Sequence, residues 1–576
     1  MRVSKTQSKN SVHYAIIQDI NIKGKRTTKV YENIGNHDNL KKRSGDIDPI
    51  LWLNNYVSEL NKKKQEDKLP IIIQKNPNQI IDKNIQSEYN VGYLFLQDIY
   101  YNLSLDNICD EITNRYQFKY DLNSILSNLV YSRIIYPSSK LKTMELASNF
   151  IEKPKLEYNH ILRGLEVISK ESDFIQSELY KNSVKKYNLN NNVLYYDCTN
   201  YYFEIEVEDD FRKYGKSKEN RPNPIVQMGL FIDGDGIPLA FDLTPGNTNE
   251  QGTLKPLEEK IINDFKKSRI VVCTDAGLAS KANRKFNDIN NRKFITTQSI
   301  KKLKTFLKSD ALDLTKGWFL PGNSKTYDIS ELRKDETLMT KFKDVTFYKE
   351  RWIKEDGLEQ RLIITYSVKY QEYQKSVRER QIQRAQNLIN KNPKNIGKAK
   401  QNDPKRFIKV TNTTECGEVA EESHYEINQD IINEEAKYDG LYAVCTNLED
   451  SVEDIIKVNH RRWEIEESFR IMKTDFKSRP VYLSREDRIK AHFTTCFLAL
   501  VIYRHLEKSL DNKYTANEII TTLKNMNLVK IKADCYYPTY TRTDFTDFIH
   551  NKVTFRTDFE VLTEKNIKKI IDETKK

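Results

Sequence analysis

The sequence predicts an α/β fold with a mixed sheet, and three observations carry that prediction. First, the apolar period changes from that of helices to that of strands at residue 191, giving the runs Val193-Leu-Tyr-Tyr-Asp197, Ile225–Ile232 and Ile237–Leu243. The last two flank Asp233-Gly-Asp-Gly236, turn residues that read as a hairpin. Second, Glu250–Phe265 has helical spacing. Third, two further strand runs follow, Arg269–Asp275 and Lys293–Thr297, separated by a short helical stretch at Lys281–Asp288. Three strands with an antiparallel hairpin, a helix and two more strands make a sheet with helices on its faces.

That order is the ribonuclease-H-like one, so residues 189–299 read as the first part of a catalytic core. The remaining elements can be placed around it. Residues 1–65 predict a small β unit and a helix, from the alternation at Tyr14–Gln18 and Thr27–Gly35. Residues 66–90 are polar and rich in Asn and Lys, and read as a linker. Residues 91–188 have helical spacing (Leu94, Leu96, Ile99; Ile125, Leu126, Leu129, Val130), broken by Pro137 in Tyr136-Pro-Ser-Ser-Lys140. With Arg133 and Lys140 around that turn, the block is a candidate DNA-binding region; an ordinary helical domain with solvated cations would read the same way. Residues 300–436 form a β-rich insertion, with strand runs at Val345–Tyr348 and Gln360–Tyr366. A charged helix follows near 369–392, then a Lys/Asn/Pro stretch at 391–405. The core resumes over 437–510, with a strand at Gly440–Thr446, a helix carrying Arg462 to Lys473, and an apolar helix over 488–508. Residues 511–576 read as an α+β tail.

Length suggests several domains, and 38% hydrophobic residues with 33 Tyr and 24 Phe can fill several cores. No run of 18 apolar residues and no signal-peptide core occurs, so a cytoplasmic protein with no membrane partner is expected. Seven scattered cysteines and eight histidines show no metal-ligand spacing and read as reduced thiols and ordinary side chains. A net charge of +12, from 94 basic and 82 acidic residues, permits nucleic-acid binding without requiring it.

On a helix, Arg462, Glu466 and Lys473 fall within roughly 40° of one another, so one carboxylate stands between two cations. Asp197 and Asp275 each end a predicted buried strand, where they can converge with a carboxylate from a helix packed alongside. Three such oxygen donors suit Mg²⁺ or Mn²⁺, and two ions would serve in-line phosphodiester displacement. Glu466 would be the third ligand, with Arg462 and Lys473 holding phosphates. Singly these signals are weak: an aspartate after a strand is ordinarily a turn residue, and an Arg–Glu pair at i,i+4 ordinarily a surface ion pair. Glu464 and Glu467 are rivals, but Glu464 lies across the helix from Lys473 and Glu467 about 100° from Glu466. Asp233 and Asp235 read as turn residues. Trp318 and Trp352 in the insertion are candidates for stacking on an unpaired base, against an ordinary role in packing. Trp463 reads as a packing residue of the Glu466 helix.

Three blocks resemble bacterial insertion-sequence transposases of the DDE type, in the branch with a β-rich insertion before the catalytic Glu. They are Tyr196-Asp-Cys-Thr-Asn-Tyr-Tyr-Phe-Glu204; the run from Gly215-Lys-Ser-Lys218 through Arg221-Pro222, Gln227–Leu230, Asp235–Leu239 and Pro245–Glu250 to Thr274–Leu278; and Arg462, Glu466 and Lys473 of a Tyr-x₂-Arg-x₃-Glu-x₆-Lys signature. The resemblance implies that Asp197, Asp275 and Glu466 are catalytic metal ligands and that Arg462 and Lys473 contact DNA phosphate. Asn459 stands where the signature has Tyr, and can hydrogen-bond a phosphate but not stack. It further implies binding of terminal inverted repeats, strand cleavage and joining of 3′-hydroxyls to target DNA by a homodimer at the nucleoid. Competing readings are a nuclease of the same fold without strand transfer, a catalytically inactive DNA-binding protein derived from such an element, and an RNA-directed ribonuclease.

Overall fold

A computed structural model describes residues 1–7, 11–22, 25–45, 47–66, 77–78, 80–81, 83–187, 189–190, 192–265, 270–355, 357–391, 403–413, 422–531 and 535–576. The chain divides into two compact units, Met1–Gln86 with Ile531–Cys535, and Ser87–Lys530 with Tyr536–Lys576. Residues 67–76, 79 and 82 of the expected linker, and most of the Lys/Asn/Pro stretch at 391–405, lie outside the described residues.

The first unit is an antiparallel sheet of β1 (Arg2–Gln7), β2 (Val12–Ile22) and β3 (Lys25–Asn36), followed by α1 (His37–Ser44) and α2 (Pro49–Glu66). Tyr14 and Ile16, two apart on β2, share one face and meet Leu40, Leu53 and Val57 of the helices in a small core. Asn36 caps α1, its side chain accepting the Asn39 N–H.

The second unit opens with a short strand, β4 (Glu88–Asn90), and six helices: α3 (Tyr93–Asn102), α4 (Leu105–Tyr116), α5 (Leu122–Ile135), α6 (Lys140–Ala147), α7 (Tyr158–Lys170) and α8 (Ser172–Lys186). Then come β5 (Val193–Tyr202), β6 (Ile225–Asp233), β7 (Pro238–Pro245), α9 (Glu250–Phe265), β8 (Ile270–Thr274), α10 (Lys281–Phe286) and β9 (Arg292–Thr297). This is the predicted order. The strands lie side by side as β7-β6-β5-β8-β9, antiparallel through β7, β6 and β5 and parallel through β5, β8 and β9.

The stretch expected as an insertion runs through α11 (Thr305–Leu312), β10 (Trp318–Leu320), β11 (Asn323–Tyr327), α12 (Ile329–Leu332), α13 (Glu336–Lys341), β12 (Thr346–Glu355) and β13 (Leu358–Ser367). It continues with α14 (Val368–Lys391), the hairpin β14 (Ile408–Thr413) and β15 (Glu422–Ile427), and α15 (Gln429–Ala436). Apart from the β14–β15 hairpin, its strands do not form a sheet of their own. The next strand, β16 (Leu441–Thr446), pairs with β9 on one edge and β13 on the other, so β13, β12, β10 and β11 extend the core into one ten-stranded mixed sheet.

After β16 come α16 (Val452–His460), α17 (Trp463–Arg470) and a π-helical turn over Ile471–Asp475, then α18 (Glu486–Ser509). Every residue from Ala491 to Leu506 of α18 is buried, as expected of a helix covered on all sides. It packs against α3, α5 and α7 and against β7, with Phe493 on Tyr201 and Phe497 on Phe241 at ring separations of 4.6 and 5.1 Å. The helical block and the sheet therefore share one apolar core. Arg133 and Lys140, expected at a DNA-reading turn or in solvent, are only 5% and 6% exposed. Arg133 donates instead to the carbonyls of Phe476 and Ser138, tying the α5–α6 turn to the chain after the π turn. The tail holds α19 (Ala516–Asn525), β17 (Asn527–Ile531), β18 (Cys535–Pro538), α20 (Asp544–His550), β19 (Leu562–Thr563) and α21 (Glu564–Glu573).

Glu258, on α9, has no exposed surface and accepts a hydrogen bond from Asn287 at 3.0 Å. Burial pushes its carboxyl up to about 7, from an ordinary 4.5. A carboxyl raised by folding favours the fold in its protonated form, so its contribution is full in acid and is lost as pH rises from 4.5 to 7. Glu258→Gln is expected to remove about 3 kcal/mol of stability loss between pH 4 and pH 8, read as denaturant midpoints of both proteins at the two pH values.

Candidate active site

Parallel pairing of β5 with β8 runs Val193↔Val271, Leu194↔Val272 and Tyr195↔Cys273. Two residues further along this register, Asp197 stands level with Asp275. Strand periodicity then fixes their face. Leu194, Tyr196 and Val272 pack into the cluster that includes α9 residues, whereas Tyr195, Tyr201 and Cys273 pack with α17 and α18. Asp197 and Asp275 belong to this second face. Asp275 directly follows β8, as the sequence predicts, but Asp197 lies in mid-strand. β5 continues to Tyr202 because β6 pairs along its whole length, while the pairing with β8 stops at Tyr195.

Burial pushes the Asp197 carboxyl up to about 6, with Lys218 opposing that shift and the charge of Asp275 adding to it. Its Oδ1 accepts the Cys198 N–H at 2.7 Å, and Asp275 Oδ1 accepts the Leu278 N–H at 2.9 Å. Two carboxylates level on neighbouring strands repel each other, and a hard divalent cation relieves that repulsion. Among these residues, Asp197 and Asp275 fit such an ion.

Glu466 is on α17, over the same face. Its side chain is 57% exposed and pairs with Arg462 at 3.1 Å. Arg462 also interacts with Asp197, so its guanidinium relates the two acids. Among the described residues no group of three acidic, His or Cys side chains could hold a metal ion. The structure thus brings Asp197 and Asp275 together and leaves Glu466 on its arginine. The rival acids are engaged elsewhere: Glu464 with Arg461 at 2.9 Å, and Glu467 with Arg470 through two 2.7 Å bonds.

Arg504 on α18 fixes the Glu466 helix. It is 7% exposed and donates to Glu464 O and Ser468 Oγ, both at 2.9 Å, while pairing with Glu507. Arg504→Met is expected to cost about 2–4 kcal/mol of stability, read from denaturant unfolding.

Lys473 lies in the π turn that follows α17. Like Arg462 it interacts with Asp197, and it lies beside Lys218 and pairs with Glu219 at 3.4 Å. Burial, followed by the repulsion of Lys218, holds its ammonium down at about 8. Glu219 also takes Arg479, and Lys218 donates to Cys198 O and pairs with Glu250 at 3.4 Å. Sequence reasoning did not single out Lys218, Glu219 or Arg479; the available signal was the basic run Gly215-Lys-Ser-Lys218 between two strands.

Asn459 points inward. Its Nδ2 donates to Tyr442 Oη at 3.3 Å, and that phenol also meets Thr297 Oγ1 at 2.6 Å. Tyr442, Asn459, Arg462, Trp463 and Glu466 line a cavity of about 350 Å³. Trp463 is 59% exposed there, not the packing residue expected, because Ile465 and Phe469 supply the buried side of α17. Trp318 has no exposed surface and donates from Nε1 to Asp313 O at 3.0 Å. It anchors the core of the sheet extension and cannot stack on a base. Trp352 is 48% exposed, but lines a separate depression of mixed charge, with Lys293, Arg351 and Arg361 beside Glu350, Glu359 and Glu449.

Among solved structures, the chain is similar to the piggyBac transposase in its synaptic complex with hairpin DNA, at 8% identity over 84% of each chain and a TM-score of 0.35. It is also similar to the Mos1 transposase paired-end complex with left transposon end, at 12% identity over 40% of this chain and 65% of that one, with a TM-score of 0.13. No curated protein matches the chain. The family model for the transposase DDE domain matches residues 198–502, beginning one residue after Asp197 and taking in Asp275 and Glu466. The chain belongs to the DDE transposase family.

Proposed function

We propose that this transposase mobilises a bacterial insertion sequence. It binds the terminal inverted repeats, cleaves DNA strands there and joins the freed 3′-hydroxyls to target DNA. Strands β7, β6, β5, β8 and β9 form its ribonuclease-H-like core. The observation that carries this reading is the level placement of Asp197 and Asp275 on neighbouring parallel strands, ringed by Arg462, Lys218 and Lys473.

Asp197 and Asp275 would hold Mg²⁺ or Mn²⁺, with Glu466 as the third ligand once it leaves Arg462. When bound, two such ions supply an activated oxygen nucleophile and neutralise the leaving oxygen. Arg462 and Lys473 hold backbone phosphates, joined by Lys218. The partly desolvated setting strengthens each of these contacts. Asn459 serves from within: it braces Tyr442, whose phenol lies on the cavity wall beside Arg462 and supports the role of the tyrosine missing at position 459. Trp352 is left as a lesser DNA contact. Two ends have to be cut in concert, so the working form is a homodimer on double-stranded DNA. Among the described residues no helix is long and apolar enough to cross a membrane, and action at the nucleoid in the cytoplasm is the corresponding proposal.

The test is incubation of DNA carrying the element's ends with Mg²⁺ and a separate target plasmid. Nicks at the ends bearing 3′-hydroxyls, followed by joined products, are expected. Cleavage without joining would replace this reading with a nuclease, and end binding without cleavage would replace it with a catalytically inactive DNA-binding protein.

A further inference from the structure

The helical block buries the two cations that its sequence offers to DNA, yet it carries a different surface suited to nucleic acid. α4 ends at Tyr116 because Gln117 turns left-handed, with φ of 52°. The chain then runs to Asp121, which caps α5. Along this link Tyr116, Phe118 and Tyr120 alternate, and their rings lie nearly parallel. Centroids are 6.4 Å apart from Tyr116 to Phe118 and 4.2 Å from Phe118 to Tyr120, with interplanar angles of 27° and 4°. His160 of α7 continues the series at 5.5 Å and 23°. These rings border a groove of about 560 Å³. Tyr116 is 41% exposed, and Phe118 and Tyr120 are half-buried.

Charge around the groove is one-sided. Of its acids, Glu166 is taken by Arg485 and Arg488 at 3.0 and 3.3 Å. Glu171 nearby holds Arg115 and the Tyr116 hydroxyl, both at 2.7 Å. Glu157 faces only His160, at 3.6 Å. Lys119, Arg163 and Lys170 also line the groove, and none of the three has an ion-pair partner among the described residues.

We propose that this groove binds unpaired nucleotides of single-stranded nucleic acid, with a base stacked at the exposed Tyr116 end of the ring series and phosphates held by the three free cations. Stacked aromatic rings flanked by cations suit a strand whose base faces are open. A duplex hides those faces, and an acidic peptide would use the cations but not the rings. The proposal does not depend on the catalytic reading, since neither metal nor Asp197, Asp275 or Glu466 takes part.

The experiment is fluorescence anisotropy of the full chain with a labelled 15-nucleotide DNA strand, without divalent metal, beside an abasic strand of equal length. The wild type should prefer the base-bearing strand. Tyr116→Leu should weaken binding about five- to a hundredfold and abolish that preference. Lys119→Glu, at an exposed position that cannot unfold the chain, should weaken both strands and flatten their salt dependence. A strand carrying iodouracil should cross-link within residues 116–120. Equal binding of the abasic strand, unchanged binding by the leucine variant, or cross-links confined to other segments would overturn the proposal. Failure of end cleavage would leave it standing.

Discussion

Asp197→Asn and Asp275→Asn should each lower Mg²⁺-dependent strand cleavage by about a thousandfold or more, while the protein stays folded and binds end DNA. Each substitution keeps size and the oxygen that accepts a backbone N–H, from Cys198 or Leu278, and removes only the charge. The ten-stranded sheet does not depend on that charge; it is one of two that repel each other across adjacent strands. Divalent-metal chemistry contributes several kcal/mol to phosphodiester transfer, and each 1.36 kcal/mol is tenfold in rate, so losing one ligand should remove most of the activity. Glu466→Gln belongs with these two variants. Glu464→Gln and Glu467→Gln do not, because their arginines, Arg461 and Arg470, lie beside Asp235 and Asp475, whereas Arg462, which pairs with Glu466, interacts with Asp197. Single-turnover nicking of an end-containing substrate separates the two groups. Retention of more than a tenth of wild-type cleavage in either Asp variant would sink the assignment.

The core strands were legible in the sequence because each is bounded by turn residues and carries an uninterrupted apolar run, from Val193 through Thr297. The pairing of β16 between β9 and β13 was not. Residues 300–436 separate the partners, and a strand that is apolar on both faces does not announce its neighbours. The candidate acids were found by chemistry, but their geometry was only half visible. Asp197 lies in mid-strand because β6 prolongs β5, a fact about another segment. Lys473 sits in a π turn that residue spacing assumes away. Burial was the least readable property. Arg133 and Lys140 look like solvated cations in the sequence, and the helix that covers them, α18, is more than 340 residues further along. Trp318 and Trp463 exchange their expected roles for the same kind of reason: which neighbour covers a side chain is set by tertiary contacts.

Lys140→Met should make the protein more stable, by about 5 kcal/mol near pH 6 and only about 1 kcal/mol near pH 9.5. The Lys140 ammonium is buried and its Nζ has no hydrogen-bond partner among the described residues. The charged or titratable groups facing it are Arg133 from α5, and His492 and Cys496 from α18; none is a carboxylate. Burial, then the repulsion of Arg133, lowers its pKa from 10.5 to about 7. A lysine lowered by folding sheds its proton on folding. The wild type therefore bears the full cost below pH 7, and that cost fades as pH rises from 7 towards 10.5. Methionine fills the space of the lysine stem without a charge, so the difference between the two proteins isolates this one group from every other titration. Denaturant midpoints at the two pH values give that difference directly. A gap that does not change with pH, or a variant less stable at both values, would show that the ammonium has found an anion in the fold. Such a result would make Lys140 and Arg133 a supported cationic pair beneath the segment that carries Lys473 and Arg479.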